Sequence, residues 1–84
     1  MTIELFSEVA LARDLPEERL RRGDIATVVE KLPATEASGG EEGCILEVFN
    51  AVGESIALVT VPVSVVVPLQ PDEVLSVRPM QQPD

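Results

Sequence analysis

Asp14-Leu15-Pro16-Glu17-Glu18-Arg19-Leu20-Arg21-Arg22-Gly23-Asp24-Ile25-Ala26-Thr27-Val28-Val29-Glu30 is the stretch on which the fold turns. A charged segment stops at Gly23-Asp24 and passes at once into a β-branched run. Residues branched at Cβ fit a pleated, half-buried surface. The order predicts a loop that feeds a strand, and an all-β chain. The charged part has two readings. As a helix, Asp14 is the N-cap, Glu17–Arg21 and Glu18–Arg22 are i,i+4 pairs, and Gly23 is the stop. As a loop, Leu15-Pro16 sets an extended turn with Leu15 and Leu20 tucked beneath it. Ten residues are marginal for an isolated helix, so a loop with at most one helical turn is expected.

Strands are expected on both sides of this stretch. Ser7 to Arg13 shows a weak period of two. The strand after Gly23 runs from about Asp24 to Leu32, where Pro33 cannot donate to a ladder. Ala34 to Gly43 reads as a polar, mobile hairpin loop with Ser38-Gly39-Gly40 at its tip. Cys44–Asn50 and Ser55–Val61 are strands joined by Ala51-Val52-Gly53-Glu54, where Gly53 suits a positive φ. Val63–Leu69 is a short strand or turn, Glu73–Arg78 a last strand, and 80–84 a frayed tail. The total is about five to six short antiparallel strands, a small barrel or meander. The expected core is Val9, Leu11, Leu15, Leu20, Ile25, Val28, Leu46, Val48, Leu58 and Val77.

Composition bounds the function. The chain has 84 residues, 45 % of them hydrophobic, which suits one domain with a thin core. Its net charge of -9 disfavours nucleic acid and anionic membrane surfaces, both polyanionic. It favours basic partners. The start, Met1-Thr2-Ile3-Glu4-Leu5, has no basic region followed by a long apolar stretch, so no signal peptide is expected. The apolar run from Ser55 to Leu69 is too short for a membrane span and is broken by Pro62 and Pro68. A bacterial-type cytoplasmic protein is the default expectation.

Asp14-Leu15-Pro16, Leu20, Gly23-Asp24 and Thr27-Val28-Val29-Glu30 together resemble a family of small bacterial proteins, domain of unknown function 4926. The likeness extends through Leu46-Glu47-Val48, Gly53, Ala57–Val61 and Asp72–Arg78. It implies an SH3-like barrel over 1–84 and no known catalytic residue. This chain departs from the family pattern in a longer Pro33–Gly43 loop and in Ala26, where a glycine is usual. It is also apolar at Ile45 and Phe49, where the pattern mixes in polar residues.

Chemistry is sparse. There is no histidine, which removes Ser-His and Cys-His nucleophile pairs and most zinc sites. Cys44 is the sole cysteine and reads as a buried free thiol. Glu41 and Glu42 point apart on an extended chain and do not easily share a proton or a substrate. Gly39-Gly40 and Gly43 lack the lysine and helix of a phosphate loop. No catalytic residue, cofactor or metal is expected.

Two surfaces remain. Four of the six bases lie between Arg13 and Arg22. Arg19, Arg21 and Arg22 either dock an acidic partner or neutralise Glu17 and Glu18. In the third strand Cys44, Leu46 and Val48 share one face, and Ile45, Glu47 and Phe49 the other. The fourth strand is apolar on both faces. A strand apolar on both faces needs cover on both. Either the C-terminal strand supplies it or another protein does, a second copy or a foreign one. The expected function is protein binding without catalysis. The competing class is an antitoxin or immunity-like inhibitor of a basic, nuclease-like partner.

Overall fold

The structure, a computed structural model, describes residues 3–80. Its five strands are β1 (Glu8–Leu11), β2 (Ile25–Leu32), β3 (Gly43–Phe49), β4 (Ser55–Pro62) and β5 (Val66–Pro68). They form one open antiparallel sheet in the order β4-β3-β2-β1-β5. No α-helix occurs among the described residues; two single 3-10 turns cover Pro16–Glu18 and Val63–Val65. The first lies inside the charged segment, so the loop reading with one helical turn holds. Leu15 and Leu20 exchange backbone hydrogen bonds of 2.8 and 3.1 Å and close that loop at its base. Arg19 adopts φ 61° to make this close return, and Leu20 is buried beneath it.

Every strand sends buried side chains to one cluster. Val9 and Leu11 of β1, Ala26 and Val28 of β2, Cys44, Leu46 and Val48 of β3, Val59 and Val61 of β4, and Val66 of β5 meet there. The register explains the choice of faces. Leu46 stands opposite Val28 on one side and Val59 on the other. Directly opposed residues of an antiparallel pair share a face, so these three must be buried together. Two irregularities, between Val28 and Glu30 on β2 and between Val48 and Phe49 on β3, bend the ladder.

Several expectations need correction. Glu73–Arg78 is not a strand: it pairs with no ladder, and Val77 is 90 % exposed. Leu58 is 64 % exposed, because it stands opposite Glu47 on the outer face while Val59 takes the core position. Leu15 and Ile25 are half-buried only. Met80, expected in the tail, packs on the core, as Ile3 does; the rest of that tail lies outside the described residues. The Ala34–Gly43 loop carries hydrogen bonds that its sequence does not announce. Ser38 Oγ accepts from the Thr35 N–H at 2.9 Å and donates to the Glu41 carbonyl at 2.8 Å. The Glu41 carboxylate and the Glu42 carbonyl then accept from the Ser64 and Val63 N–H groups.

Leu46 is fully buried and central in this arrangement. Leu46→Ala is expected to cost about 2–5 kcal/mol, a large-to-small core loss. Leu58→Ala should stay within about 0.5 kcal/mol, as surface changes do. Denaturant unfolding of the two variants checks the pair.

Candidate functional site

The β3–β4 hairpin is the candidate site. Its turn is set by Asn50. The Asn50 N–H donates to the Glu54 carbonyl at 2.8 Å, and its Oδ1 accepts from the N–H groups of Val52 and Glu54. Gly53 has φ 88°, the left-handed position that the turn requires. Strand alternation then places Ile45, Glu47 and Phe49 on the outer face of β3, as the sequence pattern predicts. Ile45 is half-buried and Phe49 is 43 % exposed. On β4, Ile56 and Leu58 are exposed as well. Glu47 sits among them, its carboxylate accepting from the Ser55 hydroxyl at 2.6 Å. The outer face is therefore a small apolar surface around one carboxylate.

The arginine set occupies another element. Arg19, Arg21 and Arg22 are exposed in the loop between β1 and β2. Their main-chain groups hold the loop. The Arg21 N–H donates to Asp24 at 2.7 Å, the Arg22 N–H donates to Asp14 at 2.9 Å, and the Arg19 carbonyl accepts from Arg78. Because β2 starts where β3 ends, this loop and Phe49 lie at the same end of the sheet. β2 and β3 still separate β1 from β4 in the strand order.

Sequence reading missed the role of Arg78. Instead of closing a strand, it makes a two-point ion pair with Asp24, its Nε donating to Oδ1 at 2.9 Å and Nη2 to Oδ2. Planar guanidinium–carboxylate pairs of this kind are among the stronger charged contacts. The pair ties residues 69–80 to the start of β2. A lone acid after a glycine and a lone arginine 54 residues on carry no sequence pattern that would link them. At Asp24, partial burial acts to raise the pKa. The hydrogen bonds from Arg78 and the Arg21 N–H, with both positive charges, outweigh it and hold the carboxyl below its ordinary value.

Two other features lie apart from this face and this ion pair. Cys44 is fully buried, and burial pushes its thiol up, away from the nucleophilic thiolate. Beyond the loop-side end of β4, Leu32, Pro33, Val61 and Pro62 wall an open, mostly apolar cleft of about 450 Å³, with Glu41 and Glu42 at its lining.

The family model described as Domain of unknown function (DUF4926) matches residues 5–68. The chain belongs to this family. The match takes in all five strands and stops at the last residue of β5, so Asp24 lies within it and Arg78 beyond it. No curated protein and no solved structure matches the chain. No helix among the described residues is long and apolar enough to cross a membrane.

The Asp24–Arg78 pair has a signed pH dependence. A carboxyl whose folded pKa is depressed contributes stability above its ordinary value, here 3.8, and loses it as pH falls through the lower folded value. Melting temperature should therefore drop between about pH 5 and pH 2. It should drop less steeply in Arg78→Met, which cannot hold Asp24 ionised. Thermal scans of both proteins over that range check this.

Proposed function

We propose that this chain is a small SH3-like barrel that binds protein through the outer face of its β3–β4 hairpin and carries out no catalysis. One observation carries the reading. Phe49, Ile56 and Leu58 all point away from the core on two adjacent strands, and all three remain exposed. Exposed apolar side chains gathered on one face mark contact surfaces more often than chance scatter does. The barrel reading is supported by the strand order, the long loop between β1 and β2, and the 3-10 turn between β4 and β5. Phe49 is the natural anchor, because aromatic side chains dominate contact energies.

A second reading, an inhibitor of a basic partner, is favoured by the charge distribution. Residues 32–77 contain seven acids and no base. A segment so charged favours cationic proteins and disfavours nucleic acid. No appreciable binding to duplex DNA at physiological salt is expected, and salt-sensitive micromolar binding in a gel shift would contradict both readings.

Phe49→Asp tests the main one. The variant should keep its circular dichroism and lose no more than about 1 kcal/mol of stability. It should also fail to retain the protein that the wild-type chain captures from an extract of its source cells, identified by mass spectrometry. If the variant unfolds, Phe49 belongs to the core and the binding face disappears with it.

A further inference from the structure

We infer that the partner binds as an added β-strand along the open edge of β4, and that this strand is a basic, extended segment of another protein. The inference rests on the outer face of β3–β4 being a protein contact, and it specifies the geometry and chemistry of that contact.

The two edges of the sheet differ. β5 has three residues and ends in Pro68, the ordinary protection of an edge. β4 has eight residues, SIALVTVP, with no charge and with proline only at its last position. Nothing among the described residues pairs with its outer side. The ladder also shows which backbone groups are open. The Val63 N–H donates to the Glu42 carbonyl at 3.0 Å, so Val63 faces β3. In an antiparallel pair successive residues alternate between facing the neighbour and facing away. Pro62, opposite Gly43, then needs no donor toward β3, Val61 and Val59 face β3, and Thr60 and Leu58 turn their N–H and C=O groups to the empty edge. The side chains of Leu58 and Thr60 are themselves exposed on the outer face. An incoming strand would meet both a hydrogen-bonding template and an apolar surface, the combination used in β-strand addition.

Charge selects the occupant. Glu54 stands at one end of β4, Glu41 and Glu42 at the other, and Glu47 on the face beside it. No base lies between Lys31 and Arg78. A second copy paired two-fold on this edge would bring acid against acid. A strand with Lys or Arg alternating with apolar residues would meet carboxylates instead. The cleft walled by Leu32, Pro33, Val61 and Pro62 adjoins the end of the edge. It offers apolar cover for the stem of one long basic side chain, with Glu41 and Glu42 near its charged head.

The test uses the whole chain with a synthetic peptide of about ten residues alternating Lys and Val, and a Glu–Val peptide as control. Residue-resolved amide hydrogen exchange should show the Leu58 and Thr60 amides unprotected alone and protected at least about tenfold by the basic peptide. Protection should fade at high salt and be absent with the acidic peptide. Thr60→Pro removes an outward donor without touching the β3 ladder, and should abolish binding while the fold remains. Loss of binding in Phe49→Asp with full binding in Thr60→Pro overturns strand addition and leaves the outer-face reading standing. No protection by the basic peptide overturns the inference. So does protection of the same two amides without peptide, with a doubled mass by light scattering, which would make the occupant a second copy.

Discussion

One core is all that this sheet has, and both its shape and its surface follow from that limit. All five strands turn buried side chains to a single cluster built from Val, Leu, Ala and the one cysteine. A short chain has little material for a second layer. β3 and β4 nonetheless carry apolar residues on both faces. The face that pairs Leu46 with Val28 and Val59 is filled, and the opposite face, with Phe49, Ile56 and Leu58, is left to whatever meets it from outside. This exposed outer face is the remainder of the packing problem.

Register decides which apolar face wins. From the sequence, Leu46 and Val48 could be assigned to the core because Glu47 marks the other face of β3. β4 has no such marker: Ile56 and Leu58 compete with Ala57, Val59 and Val61, and alternation alone does not rank them. Pairing with β3 settles it, because Val59 must share the side of Leu46. Local signals with a stereochemical cause were legible in advance: the stop at Gly23, the turn at Gly53, the strand end at Pro33 and the burial of Cys44. The hydrogen bonds of the 33–42 loop were not, since they run through Ser38 and from Glu41 and Glu42 to residues more than twenty positions away.

The C-terminal segment shows the same contrast. Val74, Leu75 and Val77 have the composition of a strand, yet β5 has no further neighbour among the described residues and all three are exposed. What fixes the segment is polar and long-range, the Arg78–Asp24 pair, with Met80 packed on the core just beyond it. Of the candidate site residues, Ile45 and Phe49 were readable because a strand period of two fixes their side of β3. Arg19, Arg21 and Arg22 were readable as a cluster but not as a scaffold. Their main-chain groups organise the loop around Asp14, Asp24 and Arg78, while their side chains remain at the surface.

The central claim is that the chain does not cover the outer face of β3–β4 by itself. Methyl NMR with a soluble paramagnetic agent measures this directly on the isolated protein. Signals of Ile56 and Leu58 should broaden strongly, while those of Leu46 and Leu20 stay sharp. If the Leu58 methyl groups prove as protected as those of Leu46 in a monomer, the chain covers its own face and the account fails.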